Sequence, residues 1–126
     1  MNKLILVVDD DHDIAQIMKE TLERNNYDVI LAHDGIQAIE KSKSEKIDLI
    51  LLDIKMPFFS GFWFCDAFKQ RPETKNIPIV IVSSALEQQS IQKAYNLGAA
   101  AYLSKPFRPL ELVQVVEKNL AETSRN

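Results

Sequence analysis

The sequence predicts an α/β fold in which helices cover both faces of a five-stranded parallel sheet, and three observations predict it. The chain has 126 residues, of which 46% are hydrophobic and 26% charged, which suits one globular domain with one core. Five short apolar runs are continuous rather than alternating, as in strands that are covered on both faces. The segments between them carry the 3.6-residue period of amphipathic helices.

The apolar runs define the predicted strands. Right-handed crossovers through the helices between them give a doubly wound, flavodoxin-like sheet with strand order 2-1-3-4-5 and five helices. The runs are Leu4–Val8, Val29–Ala32, Leu49–Leu52, Ile79–Val82 and a weaker one over Ala101–Leu103.

Helical signals fill the segment after each run. Asp34 is placed to cap the second helix, Gly98 to end the fourth, and Pro109 to begin the fifth. The third helix has an apolar stripe that leaves Trp63 on its outer face. The predicted inner residues are Ile14, Ile17, Met18, Thr21 and Leu22 in the first helix, Ile36, Ala38 and Ile39 in the second, Phe62, Cys65 and Phe68 in the third, Leu86, Ile91, Ala94 and Tyr95 in the fourth, and Val113, Val116 and Leu120 in the fifth.

Composition and charge exclude several classes of function. The net charge of −3 lacks the basic excess that binding to a phosphate backbone requires. The run Leu4–Val8 stops at Asp9, too short for a signal peptide, and no stretch approaches the roughly 20 apolar residues of a membrane span. Cys65 is the single cysteine, which fits a reducing compartment. We expect a cytoplasmic protein that binds neither nucleic acid nor membrane, with one domain over residues 1–121 and a short tail over 122–126.

Charged and hydroxyl side chains follow the predicted strands. Asp9 and Asp10 follow the first strand, Asp53 the third, Ser83 the fourth and Lys105 the fifth. In open α/β sheets ligands bind beyond these carboxyl ends. Neighbouring carboxylates repel by roughly 4 kcal/mol per pair at an effective dielectric of about 20, more than one lysine offsets. The residue types therefore predict a site for Mg²⁺ and a phosphoryl group.

At these positions the sequence resembles the receiver domains of bacterial response regulators, of the chemotaxis type that consists of a single domain. The resemblance covers essentially all of the chain, in order and at family-like spacing. It implies a phospho-acceptor switch of a two-component phosphorelay and not an enzyme with its own substrate, with at most self-phosphorylation by small phosphodonors and slow self-dephosphorylation. The matching segments are residues 7–10, residues 51–53 followed by Met56, Pro57 and Gly61, residues 81–84, and residues 101–107.

The resemblance also implies a role for each residue at the sheet edge. Asp53 is expected to be the phospho-acceptor, and Lys105 to pair with a phosphoryl oxygen. Asp10 is expected to bind Mg²⁺ directly and Asp9 to hold it through water. The backbone carbonyl of Lys55 completes the expected metal ligands together with Asp53.

The implied partners and switch follow from the same resemblance. The phosphoryl group is expected from the phosphohistidine of a sensor histidine kinase or a histidine phosphotransfer protein. Phosphorylation is expected to draw the Ser83 hydroxyl inward and let Tyr102 turn toward the interior, which changes the face of the fourth helix, fifth strand and fifth helix. A downstream protein is expected to bind that face, and a phosphorylation-dependent homodimer through it is left open. The Lys105–Pro106 bond is expected to be cis.

Some positions differ from the residues usual in the family, and others are placed to adjust the chemistry of the site. Lys55 and Ala85, each two residues past the acceptor or the switch hydroxyl, border the path of an attacking water. Phe58 and Phe59 stand where polar residues are usual, and together with Trp63 they form a candidate aromatic patch for a partner. The alternative is that one phenylalanine folds onto the core and Trp63 is an isolated aromatic residue.

The alternative function is a phosphatase of the haloacid-dehalogenase type. The acidic run that begins at Asp9 resembles that family's Asp-x-Asp motif, with Asp9 as nucleophile, Ser83 as the strand-end hydroxyl and Lys105 as the lysine. That family also needs acidic metal ligands further along, and the acids beyond Lys105 all lie in the predicted last helix. It also leaves the motif around Asp53 unexplained, so the receiver interpretation is preferred.

Overall fold

The computed structural model describes residues 2–56, 59–84 and 87–124, without the side chains of residues 59, 123 and 124. Ala85, which is predicted to border the site, and Phe58, which is predicted to belong to the aromatic patch, lie outside this range. Leu86 and the side chain of Phe59 lie outside it as well. Among the described residues, no helix combines the length and the apolar character that crossing a membrane requires.

Five parallel strands form the main sheet, in the order 2-1-3-4-5 counted along the chain, so the predicted fold and strand order are confirmed. A small antiparallel ladder of two-residue strands, Lys55–Met56 and Phe59–Ser60, follows the third strand and was not predicted. The sheet strands are β1 (Leu4–Val8), β2 (Asp28–Ala32), β3 (Leu49–Leu52), β4 (Ile79–Ser83) and β5 (Ala101–Ser104).

Five helices cover the sheet, as predicted. Asp11 caps the first helix and Asp34 caps the second through their carboxylates, and Gly98 follows the fourth helix with φ of 102°, a conformation that favours glycine. The helix α5 continues to Ser124, into the segment 122–126 that the sequence predicts as a tail. The helices are α1 (His12–Glu23), α2 (Gly35–Ser44), α3 (Gly61–Gln70), α4 (Gln88–Asn96) and α5 (Pro109–Ser124).

The strands are buried on both faces because their side chains alternate between two core clusters. Leu6 and Val8 point into the cluster under α2, α3 and α4, whereas Ile5 and Val7 point into the cluster under α1 and α5. This two-sided burial explains why the strand runs are continuously apolar. Because all five strands are parallel, the polar residues that follow them lie at the same end of the sheet.

Several residues predicted to face the core are exposed. Ile17 is 53% exposed, Ile36 72% and Tyr95 44%, because the buried stripes are narrower than the apolar pattern. In α1 the buried side chains are Ala15, Met18, Thr21 and Leu22. Phe64, which the third-helix stripe omitted, is fully buried and stacks on Phe68 with ring centroids 4.2 Å apart.

Candidate functional site

Three strand ends bring Lys105 between two carboxylates. Asp9 follows β1, Asp53 follows β3 and Lys105 follows β5. The Lys105 Nζ lies 2.6 Å from Asp9 Oδ2 and 3.1 Å from Asp53 Oδ2. The Lys105–Pro106 peptide bond is cis, as expected. Charge-assisted hydrogen bonds therefore join the carboxyl ends of β1 and β3 to the carboxyl end of β5.

Backbone amides hold the other oxygen of each carboxylate. Asp9 Oδ1 accepts a hydrogen bond from the Asp11 N–H at 3.0 Å, and Asp53 Oδ1 accepts one from the Lys55 N–H at 2.9 Å. Asp9 is fully buried and Asp53 nearly so. Both carboxylates are thus fixed in orientation before any ligand binds, while the Lys55 residue itself is exposed.

The carboxylates of Asp9, Asp10 and Asp53 form a cluster that fits a hard cation. One oxygen from each lies within 4.8 Å of the others, with Asp10 exposed and the other two buried. In the described part of the chain, Lys105 is the cation within ion-pair distance of this cluster. Three carboxylates against one ammonium leave excess negative charge, and oxygen donors of this kind are the ligands that Mg²⁺ prefers.

Burial and ion pairing shift the pKa values of the charged groups at this site in opposite directions. Burial raises the pKa of Asp9 above its usual range, and the hydrogen bonds from Lys105 and Asp11 only partly offset this. For Lys105, burial lowers the pKa, but the hydrogen bond to Asp9 and the charge of Asp53 outweigh it, so the pKa is raised overall. Lys105 therefore stays charged at neutral pH.

Ser83 on β4 and Tyr102 on β5 connect this site to the last strand of the sheet. Ser83 is fully buried at the end of β4, where it pairs with Ser104 of β5, and Tyr102 lies two residues earlier on β5, opposite Ile81. Burial raises the pKa of Tyr102, a hydrogen bond with the Ser83 side chain lowers it, and the charge of Asp53 raises it. The Ser83 hydroxyl, Tyr102 and the Asp53 carboxylate thus form one interacting group.

Gly61 sets the position of the segment that carries Asp53. A Cβ at Gly61 would lie 2.5 Å from Ile54 Cα and 2.9 Å from the Asp53 carbonyl oxygen. Both neighbours are backbone atoms, so a side chain here forces the segment away from α3. Two residues further on, Trp63 is 56% exposed on α3, as the helical pattern predicts.

Two histidines beside the site were not among the predicted functional residues. His33 follows β2, and its Nδ1 lies 3.1 Å from the Asp9 carbonyl oxygen, which can only accept, so Nδ1 donates. The His12 ring stacks on the His33 ring with centroids 3.7 Å apart. The rule that polar residues at strand ends share one edge applies to His33 as well, and it was the signal that could have found this residue.

Comparison with known proteins finds relatives that match nearly the whole chain. A family model described as the response regulator receiver domain matches residues 5–117. The alkaline phosphatase synthesis transcriptional regulatory protein PhoP of Bacillus subtilis (strain 168) is 40% identical over 112 residues, covering 89% of this chain and 46% of that protein. CpxR of Escherichia coli (strain K12) is 40% identical over 113 residues, covering 90% and 47%. The chain thus spans about half the length of the curated relatives it matches.

Solved structures agree with the fold over nearly the full chain. The chemotaxis response regulator CheY4 of Vibrio cholerae superposes with a TM-score of 0.88 at 30% identity, covering 94% of this chain and 99% of that one. A CheY-like receiver domain protein of Methanospirillum hungatei JF-1 has a TM-score of 0.91 at 31% identity, covering 99% and 98%. These proteins share the fold over nearly the whole of both chains.

Proposed function

The chain belongs to the family of response regulator receiver domains, the regulatory phospho-acceptors of two-component systems, and on that premise we propose that Asp53 is its phospho-acceptor. The single observation that carries this proposal is the Lys105 ammonium between the Asp9 and Asp53 carboxylates at the carboxyl edge of the sheet. The donor is the phosphohistidine of a sensor histidine kinase or a histidine phosphotransfer protein.

The proposed reaction is an in-line transfer between two side chains. An Asp53 carboxylate oxygen attacks phosphorus, the bond from phosphorus to the donor's imidazole nitrogen breaks, and the imidazole leaves with the electron pair. Lys105 lies near enough to Asp53 to pair with an oxygen of the transferred group. The Lys55 N–H keeps the acceptor carboxylate oriented.

Asp9, Asp10 and Asp53, with the Lys55 carbonyl, would hold Mg²⁺ in this proposal. When bound, the ion supplies positive charge that neutralises the acidic cluster and the transferring oxygens. The buried Asp9 carboxylate stays in contact with Lys105, and this contact keeps the lysine ammonium beside Asp53. Asp10, the exposed member, is placed to meet the ion first.

The Ser83–Tyr102 pair supports the proposed switch. A phosphoryl group on Asp53 offers new acceptor oxygens near the Ser83 hydroxyl, which now bonds with Tyr102. Transfer of that hydrogen bond to the phosphoryl group releases Tyr102 to change its position on β5. The output in this proposal is a changed surface over α4, β5 and α5 that a downstream protein reads.

The apolar surface beside Lys105 supports docking of a protein donor there. A cavity of about 190 Å³ is lined by Ile14, Ile17, Phe107 and Pro109 together with the stem of Lys105. Ile17 is 53% exposed and lines this cavity, so it offers apolar surface to a partner. A donor seated here brings its histidine next to the acceptor.

The phosphatase alternative is not supported. The receiver model matches residues 5–117, a span that includes every residue of the site. Both oxygens of Asp9 are already engaged, one by Lys105 and one by the Asp11 N–H, and the residue has no exposed surface. Asp53 is held by the same kinds of contact but keeps some exposed surface, at 7%, whereas Asp9 has none.

The test of the proposed function is the intact mass after incubation with acetyl phosphate, with and without Mg²⁺. We expect a Mg²⁺-dependent gain of one phosphoryl group in the wild type, none in Asp53→Asn, and the full gain in the control Asp66→Asn on α3. No gain in the folded wild type contradicts the proposal. A gain that survives in Asp53→Asn places the chemistry on another carboxylate.

A further inference from the structure

β2 is an outermost strand of the sheet, and in the described chain the backbone N–H and C=O groups on its outer side pair with no other strand. Among the described residues, β2 pairs only with β1. The Asp28 N–H donates to the Lys3 carbonyl, and the Ala32 carbonyl accepts from the Asp9 N–H. Because backbone groups alternate in direction along a strand, the even-numbered residues of β2 face β1, and Val29 and Leu31 direct their N–H and C=O groups outward.

The side chain of Gln37 shows what this edge accepts. His33 is the next outward residue after Leu31, and its N–H donates to Gln37 Oε1 at 2.8 Å. An amide oxygen from α2 therefore occupies the place that a carbonyl of a neighbouring strand would take. The outward groups of Val29 and Leu31 have no such substitute in the described chain.

The edge lies at the floor of an open groove between α1 and α2. The groove, of about 580 Å³, is lined by Lys19, Val29, Leu31, His33, Gln37 and Lys41. No carboxylate lines it in the part of the chain that the structure describes. Lys19 lies 3.5 Å from Glu23 on α1, but an exposed ion pair of this kind is weak and leaves the lysine available.

We propose that this edge groove binds an extended acidic segment of a partner protein, which adds a strand beside β2. Main-chain hydrogen bonds to Val29 and Leu31 supply the attachment, and Lys19 and Lys41 on opposite walls select acidic side chains. Since neighbouring side chains of a strand point to opposite faces, two consecutive acidic residues reach both lysines.

Charge argues against a second copy of this chain as the occupant. Pairing two β2 edges across a two-fold axis brings Lys19 and Lys41 of both copies into one groove, and like charges at an interface are unfavourable. The groove ends at His33, whose ring contacts the backbone of Asp9.

The test uses the peptide acetyl-Thr-Val-Glu-Glu-Val-Thr-amide and the ¹⁵N-labelled protein. We expect the amides of Val29 and Leu31 to exchange with solvent at least about tenfold more slowly at saturating peptide, with Ile30 and Ala32 little changed. The matched peptide with both glutamates replaced by glutamine is expected to bind more weakly. Lys19→Gln and Lys41→Gln are each expected to weaken binding of the acidic peptide about twofold to fivefold.

Three results overturn the proposal. The first is no change at Val29 and Leu31 at millimolar acidic peptide. The second is equal binding of the acidic and glutamine peptides, which removes the role of the lysines. The third is protection of the same amides that rises with protein concentration alone, which makes a second copy the occupant. Because the assay uses unphosphorylated protein and is repeated in Asp53→Asn, its outcome is independent of the phospho-acceptor proposal.

Discussion

Lys105 Nζ lies 3.1 Å from Asp53 Oδ2, and the two side chains are only 12% and 8% exposed. The ammonium also contacts Asp9, so one buried cation serves two buried carboxylates. This arrangement stabilises the site only while the lysine is present, because a carboxylate left buried without its partner is strongly unfavourable. The lysine that we propose supports phosphoryl transfer thus also stabilises the unphosphorylated fold.

Lys105→Met is expected to lower the free energy of unfolding by about 3 kcal/mol in the absence of divalent ions, because it leaves two buried carboxylates facing each other. Mg²⁺ is expected to restore part of this loss, since the proposed metal site exists only in the folded protein. Urea unfolding with EDTA and with Mg²⁺ measures both effects. Lys43→Met, at an exposed position on α2, is the control and is expected to change stability by less than about 0.5 kcal/mol. Equal losses in the two variants contradict this account.

Gly61→Ala is expected to reduce both stability and phosphorylation, because the new Cβ lies 2.5 Å from Ile54 Cα and displaces the segment carrying Asp53. Gly98→Ala is the matched control. It places alanine at φ of 102° away from the site and is expected to cost about 1–3 kcal/mol without changing the acetyl phosphate reaction of the folded protein. Urea unfolding and intact mass measure the two effects. Normal phosphorylation in Gly61→Ala shows that the segment tolerates the displacement.

The sequence predicted the acidic edge well because strand ends of a parallel sheet meet there whatever the details of packing. Asp9, Asp10, Asp53 and Lys105 needed only the strand order to be brought together, and the strand order follows from the alternation of apolar runs and helices. Roles at single positions, such as the backbone ligand expected at Lys55, came from the resemblance and stay predictions.

Helix faces were harder to predict because apolar residues occur at the margins of the buried stripe. Ile17 and Ile36 share the helical period with buried neighbours, yet both are exposed. Which margin residue is buried depends on how far each helix is rotated and on what lies beside it, and sequence periodicity contains neither. The contact of His33 with the Asp9 carbonyl also depends on a side-chain direction that no sequence pattern gives.

Lys69 is expected to make stability depend on pH at alkaline values. Its ammonium donates to the Lys75 and Ile77 carbonyls at 3.1 and 2.8 Å, and within the described residues it has no ion-pair partner. Burial therefore lowers the pKa of Lys69 below its ordinary value of 10.5. Between the lowered pKa and 10.5 the unfolded chain binds more protons than the folded one, so stability rises with pH in this window.

The measurement for Lys69 is the difference in unfolding free energy between the parent protein and Lys69→Met from neutral to alkaline pH. Both are made in a Cys65→Ala background, because the buried thiol has a raised pKa and interacts with Lys69. At neutral pH the variant is expected to lose about 1–2 kcal/mol with its two hydrogen bonds. The advantage of the parent is expected to grow as pH rises toward 10.5. An advantage that shrinks over this range contradicts the lowered pKa.

Trp63 is expected to report directly on the proposed aromatic patch. It is the single tryptophan of the sequence and is 56% exposed beside a cavity of about 110 Å³ between α2 and α3, lined also by Ile39 and Arg71. Iodide is expected to quench its fluorescence in dilute protein, and a partner seated on the patch is expected to shift the emission to the blue and reduce quenching. Trp63→Phe supplies the tyrosine background. Blue, unquenched emission from dilute protein means that the indole is covered by this chain itself, and the patch is then not a docking surface.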